Sequence, residues 1–416
     1  MEQFFTKTNL ADILSVSLRT IETWVLKGTL SLDIDESGRE GFYAHNIAQI
    51  PSVESMLYSK WNEEYSVTPK RDYTSIELFA GGGGLALGME MAGFKHVLLN
   101  EIDSSACDTL RMNRPSWNVV EGDIHKISFK QYRDKVDFLS GGFPCQAFSY
   151  AGNKGGFEDA RGTLFFELAR AVKEVKPKVF MCENVKGLYT HDNGRTFEVI
   201  KNVISLLGYT LVDPQVLKAV QYKVPQKRER LILVAIRNDL APKVTFHYPS
   251  PFYRVVTLRD AFYKGILYDT DVPPSIGQKY PQRKKEIMDK VPMGGYWKDL
   301  PDDLQREYMK GSYYMSGGRT GIARRLSLNE PSLTLTCAPA MKQTERCHPI
   351  ETRPLTVREY ARIQTFPDSW QFCGNMTTQY KQIGNAVPVN LAAAVGRSLI
   401  RLFNDIEDST LCHLGD

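Results

Sequence analysis

The stretch that decides the fold runs from Ile76 to Phe94 and reads IELFAGGGGLALGMEMAGF. A short apolar strand pattern is followed directly by a run of four glycines and then by a helical pattern. Only backbone without side chains lets a ligand come this close to the end of a strand. The stretch therefore predicts a nucleotide-like ligand at the first turn of an α/β sheet.

Strand and helix patterns alternate along the rest of the central region. The strand candidates are TSIELFA, HVLLNEID, VDFLSGG, PKVFMCENV and RLILVAIRN, and the helices between them include GTLFFELARAVKEV and RTFEVIKNVISLLG. This alternation predicts an α/β fold with a doubly wound, mostly parallel sheet of the Rossmann-like type. From about Leu240 to Thr352 the rhythm is lost and Gly, Pro and aromatic residues dominate, which indicates a second, irregular domain inserted before the sheet domain resumes.

Two acidic residues at later strand ends narrow the choice of ligand. Glu101 closes the next strand about 20 residues after the glycine run, where a carboxylate can bind both ribose hydroxyls. Asp123 follows in EGDI, at the end of a third strand, and suits an adenine amino group. With no phosphate-binding lysine nearby, these acids favour S-adenosylmethionine over a dinucleotide. For either acid alone, a helix cap or a solvated turn is the alternative.

Cys145 differs in placement from the other cysteines. It lies in GGFPCQAFS, directly after a strand, in the loop layer where doubly wound sheets bind ligands. Glu183 closes another strand of that layer, and Arg228 and Arg230 lie at the start of a further strand. These four side chains are expected to converge near the cofactor. A free cysteine is usually an inert core residue, and that role is predicted for Cys107, Cys182, Cys337, Cys347, Cys373 and Cys412.

Composition agrees with an ordinary globular protein. The chain has 416 residues, of which 42% are apolar and 24% charged, and its formal net charge of +4 leaves nucleic acid open as a partner. Seven cysteines without a CxxC pair argue against a disulfide framework and indicate a reducing compartment. We find neither a targeting segment nor an apolar run of membrane length, which predicts a cytoplasmic protein with no membrane partner.

From Thr74 onward the chain contains seven motifs in this order: FAGGGG, GGFPCQAFS, GFEDARGTLFF, ENVKG, VPQKRER, TVREYARIQTFPDSW and QIGNAVPV. In these motifs and their order the chain resembles the cytosine-5 DNA methyltransferases of bacterial restriction-modification systems. It implies a catalytic domain that binds S-adenosylmethionine, a smaller target-recognition domain and a DNA cleft between them. The resulting ranges are 74–240 for the catalytic domain, 241–352 for target recognition and 353–416 for a return to the catalytic domain.

The resemblance also assigns roles to residues. Cys145 would attack carbon 6 of a flipped-out cytosine, Glu183 would hold or protonate ring nitrogen 3, and the two arginines would position carboxylate, base or phosphate. Pro144 would fix the loop and contact the exocyclic amine. The implied cofactor contacts are Phe79, Ala80, Gly81, Gly83, Glu101, Ile102, Asp123, Ile124, Pro144, Leu164, Asn385 and Ala386. The implied DNA contacts are Ser149, Arg161, Gln226, Thr334 and Leu335.

The irregular segment is expected to read the target sequence of duplex DNA. It carries a basic set that suits phosphate and guanine-edge contacts, although such arginines are individually more often solvated: Arg319, Arg324, Arg325, Lys342 and Arg346. A transfer RNA methyltransferase is the alternative within the same family, and the long recognition segment argues against it. A glycine-loop dehydrogenase would leave PCQ, ENV and QKRER unexplained.

The first 61 residues form a unit outside this resemblance, joined to it by a linker at 62–73. Two short amphipathic segments meet at SVS, in a pattern similar to winged or MerR-like helix-turn-helix units. The predicted inward residues are Leu10, Ile13, Leu14, Ile21, Trp24 and Val25, and the predicted outward ones are Arg19, Thr20 and Thr23. The alternative is a helical hairpin packed on the main body.

Three further expectations concern partners and autonomy. If the unit binds promoter DNA, the enzyme could repress its own operon, and a chain starting near Thr74 should still methylate DNA. A transcriptional regulator with an inactive catalytic domain is a competing interpretation, which the intact cysteine, glutamate and arginines disfavour. A cognate restriction endonuclease is expected to be encoded nearby without being bound.

Overall fold

A computed structural model of the chain describes residues 3–36, 38–143, 164–315 and 319–412. Within these ranges an N-terminal unit and an irregular segment flank a central sheet. The sheet is covered by helices on both faces, and its two apolar faces form the main cores of the molecule. This layered arrangement is the one that the alternating strand and helix patterns predict.

The N-terminal unit combines helices with a small antiparallel sheet in the order β1-β3-β2. Its elements are β1 (Phe4–Thr6), α1 (Lys7–Leu14), α2 (Leu18–Leu26), β2 (Asp33–Ile34), β3 (Glu40–Tyr43), α3 (Pro51–Leu57) and α4 (Trp61–Tyr65). The side chains of Thr6 and Ser17 cap α1 and α2, which fixes the short turn between the two helices. Leu10, Ile13 and Ile21 are fully buried and Arg19 is exposed, in agreement with the predicted faces.

Helix α4 joins this unit to the main body by packing. Trp61 belongs to the same apolar core as the central sheet, and its ring meets the Phe252 ring edge-on at 5.3 Å between centroids. The Glu64 carboxylate accepts hydrogen bonds from the backbone and the hydroxyl of Ser250, both at 2.9 Å. The N-terminal unit is therefore attached to the main body by core packing and hydrogen bonds as well as by the covalent chain.

The central sheet has eight strands in the order β10-β12-β8-β7-β4-β5-β6, with β9 also paired to β12. Its elements and connecting helices are β4 (Tyr73–Leu78), α5 (Gly84–Ala92), β5 (Phe94–Glu101), α6 (Ser104–Asn113), β6 (Val119–Glu121), β7 (Phe138–Gly141), α7 (Leu164–Val175), β8 (Val179–Asn184), α8 (Arg195–Leu206), β9 (Tyr209–Leu211), β10 (Gln215–Lys218) and β12 (Glu229–Arg237), with the short β11 (Gln226–Lys227) outside the sheet. Strands β4 to β8 are parallel, and β12 runs antiparallel to β8. The predicted doubly wound, mostly parallel sheet is confirmed.

The strand order creates a crevice at one edge of the sheet. The chain moves outward from β4 to β5 and β6, and then returns to place β7 on the other side of β4. Ligands of open α/β sheets bind at such a reversal, beyond the carboxyl ends of the strands. The residues after β4 and β7 therefore lie where a ligand is expected.

The irregular segment and the C-terminal helices complete the fold. Their elements are α9 (Leu258–Phe262), α10 (Gln282–Met288), α11 (Asp302–Met309), β13 (Ser332–Leu333), α12 (Val357–Ile363), α13 (Met376–Asn385) and α14 (Val389–Cys412). Short 3-10 helices occur at Ala44–Ile47, Ile124–Lys126, Lys130–Tyr132, Lys186–Tyr189, His191–Gly194, Ala219–Gln221, Ala241–Lys243, Trp297–Asp299, Lys310–Tyr314 and Lys342–Thr344. Helices α10 and α11 surround a small apolar cluster of their own, and β13 pairs in parallel with β11.

Helix α14 is a core helix that packs on α5. A Cβ atom at Gly88 would lie 2.4 Å from the Ala392 Cβ, so the two helices approach more closely than side chains would allow. The stretch Met376–Thr410 is long and apolar enough to cross a membrane, but 89% of its apolar window is buried inside the protein. That burial is typical of the core helix of a globular fold.

Glu77 is a buried acid in β4, just before the glycine run. Within the described ranges its Oε2 has no hydrogen-bond partner, and burial raises the pKa of Glu77 well above its usual value. Burial therefore favours the protonated form of the side chain. Because the pKa of Glu77 is raised in the folded state, its contribution to folding stability depends on pH. The contribution is fully present below the unfolded-chain pKa of about 4.3 and is lost as the pH rises through the folded-state pKa.

We predict that Glu77→Gln folds normally and flattens this pH dependence, because the amide cannot ionise. Thermal unfolding followed between about pH 5 and pH 8 should show a shallower fall in stability for the variant than for the wild type. Glu198→Gln, at an exposed position of α8, should follow the wild type. Equal slopes for Glu77→Gln and the wild type would contradict the prediction.

Candidate functional site

The turn after β4 opens the sheet edge to a ligand at Gly81. Phe79 and Gly81 have φ angles of 59° and 54°, in the left-handed region, and a Cβ atom at Gly81 would meet no atom within 4 Å. At Gly83 a Cβ atom would instead lie 2.7 Å from Leu110 Cδ2 and 2.8 Å from Trp370 Cζ2. Of the two predicted cofactor glycines, Gly81 faces open space and Gly83 serves packing.

Glu101 is held beside Gly81 by the backbone. Its carboxylate accepts hydrogen bonds from the N–H groups of Gly81 at 2.7 Å, Ile102 at 2.8 Å and Asp103 at 2.9 Å. The apolar side chain of Ile102 is 68% exposed at the same edge. A fixed carboxylate next to an exposed apolar side chain fits the ribose and adenine of an adenosyl group.

Asp123 stands at the end of the adjacent strand β6. Its carboxylate accepts hydrogen bonds from the His125 backbone at 3.0 Å and the His125 ring at 2.6 Å, and the His125 ring holds the pKa of Asp123 below its usual value. Ile124 is buried beneath it. The acid is therefore ionised and oriented at the carboxyl edge of the sheet, where a base amino group could donate to it.

The C-terminal segment returns to this turn. A Cβ atom at Gly84 would lie 2.3 Å from the Val387 carbonyl oxygen and 3.0 Å from the Ala386 Cβ, so this backbone packs directly on the start of α5. The indole Nε1 of Trp370 donates to the Gly82 carbonyl at 3.2 Å. Asn385 ends α13, and the partly buried Leu164 begins α7. Glu101, Trp370 and Ala386 therefore meet at the turn after β4, and the other predicted cofactor contacts stay predictions.

Glu183 and Arg230 form an ion pair across β8 and β12. Arg230 Nε lies 2.5 Å from Glu183 Oε1, and the two side chains are only 11% and 12% exposed. A Cβ atom at Gly142 would be 2.9 Å from Glu183 Oε2, so a glycine is needed for the carboxylate to lie against the end of β7. The neighbouring Asn184 donates to the Phe143 carbonyl at 2.9 Å. The carboxylate therefore adjoins the backbone that leads into residue 144.

Arg228 is a buried cation with donors to spare. Its side chain is 2% exposed, Nη1 donates to the Leu335 carbonyl at 3.3 Å, and Nε has no partner within the described ranges. Burial, assisted by the charge of Arg230, lowers the pKa of Arg228 to about 9. A buried donor without a partner is costly, and an anionic or carbonyl group of a ligand would offset that cost.

Four predicted site residues lie outside the described ranges. Cys145, Pro144, Ser149 and Arg161 all fall within residues 144–163. The structure describes the positions immediately before and after this segment, Phe143 and Leu164, which belong to one apolar core. The predicted roles of the four residues therefore stay predictions.

Two predicted DNA contacts are internal. Gln226 and Leu335 are buried, with Gln226 Nε2 donating to Gln364 Oε1 at 2.9 Å and Gln226 Oε1 accepting from the Leu335 N–H at 2.9 Å. The two residues form the joint that holds β11 beside β13, and their predicted contact with DNA stays a prediction. Thr334, partly buried, donates to the Lys227 carbonyl at 2.6 Å in the same joint.

The basic set of the irregular segment divides into internal and surface members. Arg325 is buried and donates to the Met288 carbonyl and the Thr352 hydroxyl, both at 2.8 Å, and Arg346 is buried and donates to the Thr334 carbonyl at 2.6 Å. Both satisfy carbonyls that this irregular backbone leaves unpaired, so neither is a solvated surface charge, and the expectation that the basic set contacts DNA stays a prediction. Arg324 instead lines a cleft that it shares with Arg228 and Arg230 and that is described below.

The described cysteines differ in exposure. Burial raises the pKa of Cys107 to about 12 and raises the pKa values of Cys182 and Cys347, as expected for inert core thiols. Cys337 is exposed, so its assignment to the core is wrong, and its Sγ lies 3.3 Å from Asn385 Oδ1. Cys373 is partly buried.

A cleft of about 990 Å³ lies beside Arg228 and Arg230. Its walls come from the sheet edge (Arg228 and Arg230), the irregular segment (Arg324 and Thr334) and the N-terminal unit. Six basic side chains line it against three acidic ones, which suits a polyanion. Packing of the N-terminal unit on the main body was one of the two sequence-based alternatives, but its contacts with the cleft wall depend on residues far apart in the chain, such as the ion pair of Asp12 with Lys227.

Comparison with known proteins gives a consistent result. The family model for C-5 cytosine-specific DNA methylase matches residues 73–401. Type II methyltransferase M.Eco47II of Escherichia coli is 60% identical over 407 residues, covering 98% of this chain and 97% of that protein. Type II methyltransferase M.PspPI of Psychrobacter sp. (strain TA137) is 57% identical over 404 residues, covering 97% of each. Both alignments include most of the N-terminal unit.

Solved structures are similar in fold. An Escherichia coli protein, described as a DNA modification methyltransferase encoded within a prophage, superposes with a TM-score of 0.59 at 24% identity. The match covers 80% of this chain and 100% of that one. At this identity the likeness establishes the fold alone.

Proposed function

This chain belongs to the C-5 cytosine-specific DNA methylase family, and from that premise we propose how its own residues methylate cytosine in duplex DNA. Its activity is methyl transfer to carbon 5 of cytosine, as the modification enzyme of a type II restriction-modification system. The proposal covers the residue roles, the cofactor and the domain that reads the target. It is carried by one observation, the Glu183–Arg230 pair at 2.5 Å, whose carboxylate lies against Gly142 at the end of β7.

Cys145 is the proposed nucleophile. Carbon 5 of cytosine is too weakly nucleophilic to accept a methyl group directly, and addition of a thiolate at carbon 6 places electron density on carbon 5. Methyl transfer and loss of the carbon 5 proton then allow the thiol to be eliminated. The target cytosine must leave the base stack to reach the thiol. Ser149 and Arg161 are the proposed phosphate contacts of the same segment, and Pro144 the contact to the exocyclic amine.

Glu183 is the proposed partner of ring nitrogen 3. Nitrogen 3 gains proton affinity as the thiolate adds, and a carboxyl group within hydrogen-bond reach can supply or share that proton. Arg230 holds the carboxylate in place through the pair described above. Arg228 lines the cleft, its buried Nε has no partner within the described ranges, and its guanidinium group is proposed to bind the base carbonyl or an adjacent phosphate.

S-adenosylmethionine is the proposed cofactor, and it supplies the methyl group when bound. Glu101 would bind the ribose hydroxyls, and Asp123 would accept a hydrogen bond from the adenine amino group, with Ile102 against the base. The backbone of Phe79, Ala80 and Gly81 would border the methionine part, since the position of the Gly81 side chain is open space. Family membership supports the use of this cofactor in general.

Glu101→Ala is predicted to weaken cofactor binding strongly. Two charge-assisted hydrogen bonds to ribose would be lost, which corresponds to a rise of about 10²-fold in the Kd for S-adenosylmethionine. Glu101→Gln should also bind weakly, because an amide has one acceptor oxygen for three backbone donors and the ribose. Isothermal titration measures both values. Glu121→Gln, a charge change at the end of β6, should match the wild type, and a Kd for Glu101→Ala within twofold of wild type would refute the assignment.

Residues 241–352 are the proposed target-recognition domain, with Arg324 as its basic residue in the cleft. Bisulfite sequencing of DNA from cells that express the chain tests the function and its target together. We expect one short sequence to be protected from conversion at a single cytosine. Unmethylated DNA in expressing cells would refute the function. The protein is proposed to act in the cytoplasm. A cognate restriction endonuclease is proposed to be encoded nearby, without being bound by this protein.

A further inference from the structure

The N-terminal unit is docked on β10, β11 and β12, next to Arg228 and Arg230. Lys218 Nζ in β10 donates to the Ile13 carbonyl at 2.8 Å, and Ser15 Oγ donates to Glu229 Oε1 in β12 at 3.0 Å. Lys227 in β11 lies 2.7 Å from Asp12, whose side chain is only 7% exposed. These contacts hold the end of α1 and the following turn against residues 218–229.

This docking makes the turn between α1 and α2 a wall of the cleft. Residues 15–18 line the same space as Arg228, Arg230 and Arg324. Thr8, Ala11 and Asp12 of α1 line it as well. A helix-turn-helix unit that served a separate operator would be expected to turn this region toward open solvent instead.

The chemistry of this wall suits a phosphate backbone. Its acid, Asp12, is already paired with Lys227, and the Ser15 hydroxyl already donates to Glu229, so the hydroxyls left to a ligand are those of Thr8 and Ser17. Hydroxyl side chains are common phosphate contacts in protein–DNA complexes. Across the cleft, Arg228 is more than nine-tenths buried, lines the same space and has an Nε without a partner within the described ranges, so this wall of the cleft carries a cation whose hydrogen-bonding capacity is not fully used.

We propose that the N-terminal unit binds the phosphate backbone of the same duplex that carries the target cytosine, through the turn at residues 15–18. The proposal rests on the proposed function only in taking duplex DNA as the substrate. It is an alternative to two sequence-based expectations that stay predictions, a separate promoter-binding unit and a chain starting near Thr74 that keeps methylation. Removal of the first 73 residues would also take Trp61 from the main core.

Ser17 allows a test that leaves the fold intact. Its hydroxyl is exposed in the cleft wall and caps α2 by accepting from the Thr20 N–H at 3.1 Å. Asp and Asn are both as good as Ser at this capping position, and they differ by one negative charge. In the full chain, Ser17→Asp should therefore bind duplex DNA about tenfold more weakly than Ser17→Asn, through repulsion of a nearby phosphate.

Fluorescence anisotropy measures these affinities at one salt concentration, on a duplex that contains the methylated sequence and on one that lacks it. A backbone contact predicts the same ratio between the two variants on both duplexes. Ser55→Asp adds the same charge to the exposed surface of α3, outside the residues that line the cleft, and should bind as the wild type does.

Three outcomes would overturn the inference. They are equal affinities of the two Ser17 variants, a difference restricted to the specific duplex, and an equal loss for Ser55→Asp. Methylation of the specific duplex by the wild type is measured in parallel. Failure of that reaction would refute the proposed function and leave the comparison of affinities standing.

Discussion

Cys145→Ser is expected to abolish methyl transfer, with a fall in the single-turnover rate on the order of 10⁴-fold or more. A serine hydroxyl is almost entirely protonated at neutral pH and is a far poorer nucleophile than a thiolate. The variant should still bind S-adenosylmethionine and duplex DNA, since neither interaction uses the thiol. Incorporation of a tritiated methyl group, measured beside a cofactor titration, separates the two effects.

The matched control is Cys337→Ser. Cys337 is the exposed cysteine among the described residues, so it is the thiol that could otherwise account for a reactive group. We expect Cys337→Ser to methylate normally. DNA that carries 5-fluorocytosine extends the test, because fluorine cannot leave as a cation and the covalent adduct persists. A denaturation-resistant complex should form with the wild type and with Cys337→Ser, and its formation with Cys145→Ser would remove Cys145 from its role.

Much of the fold was predictable because its signals are local. The glycine run after Leu78 and the apolar strands closed by Glu101 and Glu183 mark parallel strands whose carboxyl ends meet at one edge. The antiparallel direction of β12 was not predictable, because an apolar strand reads the same in either direction. Its direction follows from the short return through β9 and β10, which no sequence motif announces.

The position of a site residue could be predicted where the residue directly follows a strand. It could not be predicted where tertiary contacts determine the surroundings of the side chain. Gly81 and Gly83 look identical in sequence, yet Gly83 lacks a side chain because Leu110 and Trp370 occupy that space. Arg324 and Arg325 are adjacent, but only Arg324 reaches the cleft, because Arg325 is held by carbonyls of distant segments. Burial of a charged group depends on such partners, which sequence spacing does not reveal.

Glu183→Gln is expected to slow the chemical step by about 10² to 10⁴-fold, the range lost when a general acid or base is removed. Glutamine keeps the size of the side chain and can hydrogen-bond to Arg230 or to the base, but it cannot transfer a proton. DNA affinity should change much less, since duplex binding depends mainly on phosphate contacts. Single-turnover methylation at saturating DNA and cofactor measures the step directly.

Asp137→Asn is the matched control for this loss of charge. Asp137 is also nearly buried, with 10% of its side chain exposed, and it pairs with Arg71 at 2.6 Å just before β7 begins, at the opposite edge of the sheet. Its loss should lower the free energy of unfolding and leave the rate of methyl transfer unchanged. If the two variants slowed the reaction equally, the effect at Glu183 would reflect damage to the sheet. If Glu183→Gln alone slowed it, with cofactor affinity intact, the carboxyl group itself would be the proton donor that cytosine requires.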